Sequence, residues 1–176
     1  HQLWSSTFLP AVHQGTYISL AEKDSAKLIG NIRNPRLTME QQRKEMDLLS
    51  GLNRRHLETH GPDAQLEATI QSAEIAYRMQ TEAPEAFDIT REPDHMRARY
   101  GEHDFGRGCL MARRLVERGV RMVQVYFGNF QPWDNHDDIE LHRPLAAKAD
   151  GPIAALIEDL KASGLFQETV IVIGGE

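Results

Sequence analysis

Two short apolar runs, residues 120–127 and 169–173, constrain the fold of this chain more than any other feature. In the first, only Arg121 and Gln124 are strongly polar; the second is Thr169 followed by Val170, Ile171, Val172 and Ile173. Near-continuous runs of this kind read as strands buried on both faces, as in a parallel sheet. Between them lies a helical pattern. Pro144 suits its first position, Leu145, Ala149, Ile153, Leu156, Ile157 and Leu160 form its apolar stripe, and Gly164 closes it. A strand, a helix and a second strand in one sheet imply a parallel pair with a right-handed crossover. Ahead of the first run, Asp104 is a good N-cap. Phe105, Cys109, Ala112 and Val116 share a helical face, and Gly119 is a natural residue just past the helix end. The expected fold class is therefore α/β, a parallel sheet with flanking helices. Two strands alone make a poor sheet, so further strands are expected from residues 1–37 or from outside the chain.

Upstream the period is helical. Thr38-Met39-Glu40-Gln41 matches a capping box, and a broken stripe of Met39, Met46, Leu49, Leu52 and Leu57 runs to about Thr59, where Gly61-Pro62 stops it. A second helix is expected from Asp63 to about Thr81, ended by Ala83-Pro84, and a short one around residues 95–100. Residues 38–100 thus read as a helical insert, residues 104–176 as the α/β core, and residues 1–176 as a single partial domain. The chain opens at His1 and stops at Glu176 directly after an apolar run. Both ends are therefore expected to be cut from a longer sequence, with a signal segment or catalytic residues outside it.

Composition narrows the function classes. Hydrophobic residues make up 40% and charged residues 26%, an ordinary globular balance. A net charge of -6 argues against nucleic acid as a partner. No run approaches the roughly 18 apolar residues of a membrane span. The single cysteine excludes an intrachain disulfide.

Ligands of open parallel sheets bind beyond the carboxyl ends of the strands. Asp134 and His136 fall in the long loop after residues 120–127, and Glu176 falls just past 169–173. Ends of neighbouring strands lie about 4.8 Å apart, so these three are the candidate metal ligands. Imidazole with carboxylate suits zinc or manganese better than calcium or magnesium. The bland alternative is a polar loop whose Asp and His cap turns. Asp137, Asp138 and His142 enrich the same loop in donors.

Phe105-Gly106-Arg107-Gly108-Cys109-Leu110-Met111-Ala112-Arg113-Arg114-Leu115, Trp133-Asp134-Asn135-His136, Arg78-Met79-Gln80 and Gly174-Gly175-Glu176 closely resemble one bacterial family. It is the sulfatase-like family known as domain of unknown function 1501, related to the alkaline phosphatase superfamily. The resemblance covers nearly the whole chain. It implies an alkaline-phosphatase-like fold in which Asp134 and His136 are the Asp/His metal pair. It also implies that Glu176 opens a further motif whose remainder lies outside the chain. The implied function is metal-dependent hydrolysis of a small-molecule sulfate or phosphate ester, catalytically incomplete in these 176 residues, with the nucleophile elsewhere. Export to the periplasm is implied by the family alone. Two rivals stand beside it: a non-catalytic structural or interaction protein, and a phosphate-transferring mutase of the same superfamily.

Other residues read more plainly. Cys109 is followed four residues later by Arg113, as in sulfatase nucleophile motifs, but Leu110-Met111-Ala112 replaces the intervening Pro and Ser, and Cys109 falls on an apolar helix face. A small core residue is the better reading. His56 and His60 share a helix face at i,i+4 and could meet a metal; the ordinary reading is cations complementing a helix end. Arg107 is a candidate anion contact near a helix N-terminus. Trp133 is either a site wall or a packed loop anchor.

Overall fold

The computed structural model describes residues 15–20, 28, 36–61, 63–128 and 132–174; within these, the side chains of 64, 78, 79 and 81–83 are left aside. Further strands are expected from residues 1–37; of these, 15–20, 28, 36 and 37 are described and carry no strand, and the others lie outside the described residues. The chain divides into two compact units, His1–Glu85 and Ala86–Glu176.

In the first unit, α1 (Met39–His60) starts where the capping box predicts. The Thr38 hydroxyl accepts from Gln41 N, and the Gln41 amide oxygen accepts from Thr38 N. Gly61 ends it at φ 81, donating to the Leu57 carbonyl. The second helix, α2 (Ala64–Phe87), runs six residues past the predicted end and passes through Pro84. Proline in a helix interior removes a hydrogen bond and costs about 3 kcal/mol. The cost is offset where Ala86 and Phe87 are buried and Arg114 Nε donates to the Ala86 carbonyl at 2.9 Å. Within the first unit, Arg43 bonds Glu74 at 2.9 Å and lies over the Tyr77 ring, and Gln80 donates to Gln42 at 2.9 Å.

The second unit holds α3 (Asp94–Tyr100), α4 (Asp104–Glu117) and α5 (Arg143–Ala162), with single 3-10 turns at Ile89–Arg91, Ile139–His142 and Leu165–Glu168. Tyr100, Cys109, Leu110 and Ala155 form its core, with Ile89, Phe105, Val125 and Leu156 packed against it. Each fully buried large side chain is worth about 1.5–3 kcal/mol. The predicted face of α4 packs at Cys109 and Ala112, but burial extends round the whole helix from Gly108 to Arg114, with Phe105 and Val116 half-buried; Gly119 takes φ 82 just past the helix end, as expected. The N-cap is His103 rather than Asp104; its Nδ1 accepts from Gly106 N. Gly106 answers a close approach: a Cβ there would stand 2.0 Å from the Tyr100 carbonyl oxygen and 2.6 Å from that of Gly101.

The α/β expectation is overturned. Among the described residues there is no strand and no sheet, and the architecture is helical. Residues 120–128 and 169–174 carry no helix and form no ladder. Val123, Val125 and Phe127 are half-buried while Met122, Gln124 and Tyr126 are exposed, so only one face of the first run is covered. Val170, Val172 and Ile173 are largely exposed. An apolar run makes a parallel strand only when neighbours pair its backbone and helices cover both faces; neither condition holds here. The alkaline-phosphatase-like parallel sheet, and an α/β core over residues 104–176, are therefore not what this chain forms.

Beneath α3, α4 and α5 lies a network of charges. Arg113 bonds Glu92 at 2.6 Å, and Arg114 reaches the other Glu92 oxygen. Asp159 accepts from Tyr100 Oη and from Arg99 Nη1, each at 2.9 Å, with Arg113 Nη1 at 3.5 Å. Burial alone would raise the Glu92 carboxyl, but the hydrogen bonds and charges of Arg113 and Arg114 outweigh it and hold the group below the usual carboxylate range. Burial, then the bond to Asp159, pushes the Tyr100 hydroxyl well above its ordinary value. Pairing of this kind is what makes buried charge tolerable.

Candidate functional site

The loop after residues 120–127 is organised from its own side chains. Asn135 Oδ1 accepts from the backbone N–H groups of Asp137 and Asp138 at 3.0 and 3.2 Å, an Asx turn that reverses the chain. Asp138 then caps the turn Ile139–His142 by accepting from Glu140 N at 2.9 Å. His142 sits with Nε2 2.8 Å from the Trp133 carbonyl oxygen and its ring stacked on the Trp133 indole. Trp133 in turn packs edge-on against Phe127, and Phe127 against Phe105. The indole is thus an anchor linking the loop to the α4 side of the core.

Those contacts occupy Asn135, Asp138 and His142 in holding the loop and leave Asp134 and His136 facing outward. His136 Nε2 lies 2.6 Å from Asp134 Oδ1, with the two side chains 88% and 40% exposed. The carboxylate accepts, so Nε2 carries the hydrogen, and Nδ1 of a neutral ring holds the lone pair; this tautomer is assigned from the bond. The two expected residues are brought together. Glu176, the third, lies outside the described residues. Among the described residues no group of three or more His, Cys, Asp or Glu side chains converges.

An oxygen and an imidazole nitrogen are the donor types that zinc or manganese takes. The pair fits such an ion in chemistry, and it can supply two donors to one ion once the Nε2–H bond to Asp134 gives way to the metal. Water must complete the shell, or donors from outside the described residues.

Arg107 and Cys109 have structural surroundings. Arg107 bonds Asp104 at 2.6 Å and the Glu102 carbonyl at 2.9 Å, clamping the start of α4. Cys109 is buried in the core, and burial pushes its thiol up to about 12, far from a nucleophile's range. The Glu92–Arg113–Arg114 and Tyr100–Asp159 clusters were not singled out in the sequence. The only signal for them was Arg113-Arg114 on a helix with an apolar face, which reads as a solvated pair until packing turns it inward.

Residues 1–176 match the family described as protein of unknown function (DUF1501), and the chain belongs to that family. No curated protein and no solved structure matches it. Among the described residues no helix is long and apolar enough to cross a membrane.

Proposed function

We propose that this chain contributes the Asp134–His136 pair to metal-dependent hydrolysis of small sulfate or phosphate esters, in a sulfatase-like line related to the alkaline phosphatase superfamily. One observation carries the reading. A carboxylate and an imidazole stand 2.6 Å apart on an exposed loop whose neighbouring polar side chains are already engaged. A bound divalent ion would polarise a phosphoryl or sulfuryl oxygen, or lower the pKa of a water to about 7. Without an ion His136 Nε2 donates to Asp134, a bond that the cation would replace, and Asn135, Trp133 and His142 fix the loop that presents both side chains. No described residue is placed as a nucleophile beside them, and the family resemblance puts that group outside residues 1–176. The test therefore reads substrate binding rather than turnover. Calorimetric titration of 4-nitrophenyl sulfate and 4-nitrophenyl phosphate into the zinc-loaded chain is expected to show binding that zinc-free chain and an Asp134→Ala/His136→Ala variant lack. Equal binding, or none, in all three would count against the reading.

A second reading, a non-catalytic interaction protein, draws on a different observation. Met122 is 81% exposed, and Val170, Val172 and Ile173 are 88%, 85% and 70% exposed. Large apolar side chains left this exposed within one short segment, 170–173, are what an interaction surface would present.

A further inference from the structure

The last turn of α1 carries a feature that the proposed hydrolase does not use. His56 and His60 are one helical turn apart, and their rings stack with centroids 4.6 Å apart and planes 11° from parallel. His56 is half-buried and His60 exposed. Side chains at i and i+4 lie one above the other on a helix, so both imidazoles rise from the same face of the turn; in the stack their lone-pair planes are parallel, and a turn of the His56 ring about its side-chain bonds is needed to aim both at one ion.

Thr59 sets the protonation of one of them. Its Oγ1 lies 3.0 Å from the Arg55 carbonyl oxygen, 3.1 Å from that of His56 and 2.7 Å from His60 Nδ1. A hydroxyl has one proton. Spent on a backbone carbonyl, as helical threonines commonly spend it, that proton leaves Oγ1 only the role of acceptor toward Nδ1–H. His60 is then the Nδ1–H tautomer, and its Nε2 lone pair has no protein partner among the described residues. A histidine whose second nitrogen donates to a neighbouring oxygen, with the other nitrogen free, is the arrangement that supports a metal ligand.

We infer that His56 and His60 form a two-imidazole site for a borderline transition-metal cation, of the zinc, nickel or copper class, at the C-terminal turn of α1. His60 Nε2 and one nitrogen of His56 are the ligands, and water completes the shell, since no third His, Cys, Asp or Glu side chain joins them among the described residues. Thr59 is a positioning residue that acts through the His60 tautomer. The site shares no residue with the Asp134–His136 loop, and its argument does not rest on that loop.

The experiment is a zinc titration of the 176-residue chain in an Asp134→Ala/His136→Ala background, which removes the loop pair. Calorimetry is read alongside the imidazole NMR resonances of histidine. The His56 and His60 signals are expected to shift together at one equivalent of zinc. His56→Gln and His60→Gln, which keep polarity and remove the ring, should each weaken binding at least about tenfold. Thr59→Val should weaken it less, with both rings still shifting. Zinc should raise the melting temperature of the helical signal in the parent and not in the Gln variants, since a ligand that binds only the folded turn stabilises it. Unchanged affinity in both Gln variants, or a titration in which the His56 and His60 resonances stay put, would overturn the site. Circular dichroism of each variant separates loss of the ligand from loss of the helix.

Discussion

The Tyr100 hydroxyl donates to the Asp159 carboxylate at 2.9 Å, joining the end of α3 to the last turns of α5 across 59 positions of sequence. Tyr100 is fully buried and Asp159 nearly so. A hydrogen bond to a charged, buried acceptor is worth about 1.5–3 kcal/mol. Tyr100→Phe keeps the ring and removes the donor, so it should lower the stability of the unit holding residues 86–176 by about 2 kcal/mol. Urea unfolding followed by Tyr and Trp fluorescence reads it; an unchanged midpoint would mean that Arg99 and Arg113 satisfy Asp159 unaided.

Glu92 is the other anchor of this network. Its folded carboxyl titrates below its ordinary value, so the unfolded chain binds the proton more readily. The stabilisation is full above the usual carboxylate range and drains away as pH falls through the folded value. Acid unfolding should therefore begin below about pH 4.3. Glu92→Gln takes from buried Arg114 its carboxylate and from Arg113 its shortest one, leaving Arg113 the longer contacts to Asp159 and Glu117, and should cost about 3 kcal/mol at neutral pH. The same substitution should flatten the acid limb of a pH-stability curve measured by thermal melts. A mutant curve parallel to that of the parent would assign the acid sensitivity to other groups.

Gly106→Ala should be among the most damaging single-methyl additions in the chain. The new Cβ would meet backbone carbonyl oxygens rather than a side chain that can swing aside. The junction of α3 and α4 must open, at a cost of about 3 kcal/mol, the upper end of what overpacking usually exacts. Gly51→Ala is the control, since nothing lies within 4 Å of its added carbon and the helix gains propensity.

Cys109 should stay silent toward thiol reagents in the folded protein. Buried and with its thiol pushed up to about 12, it offers almost no thiolate near neutral pH. Labelling by a maleimide should track unfolding across a urea series; rapid labelling in buffer would show that the core around Leu110 and Tyr100 opens readily.

Helix starts and ends written in short local patterns were legible in the sequence. Thr38 with Gln41 caps α1, Gly119 follows α4, and Gly61 closes α1. The face of α4 bearing Phe105, Cys109 and Ala112 was equally legible, because period 3.6 is a local property. Residues 120–127 and 169–173 were not. A run of Val, Ile, Phe and Tyr states that side chains prefer burial but not what will pair the backbone, and pairing is a long-range matter. Pro84 misled for the opposite reason. Its local penalty was plain, while the burial of Ala86 and Phe87 that outweighs it was not. Asp134 and His136 were singled out by a strand-end position that the chain does not form and by the family resemblance; their contact at 2.6 Å was not written in the spacing. That Asn135, Asp138 and His142 serve the loop's own structure emerged only from its three-dimensional contacts.

The central claim is that Asp134 and His136 hold a divalent cation. Elemental analysis of the purified chain beside the Asp134→Ala/His136→Ala variant tests it most directly. The account predicts zinc or manganese bound to the parent, with about one equivalent fewer in the variant. Equal metal content in parent and variant, whether bound elsewhere or absent from both, would contradict it.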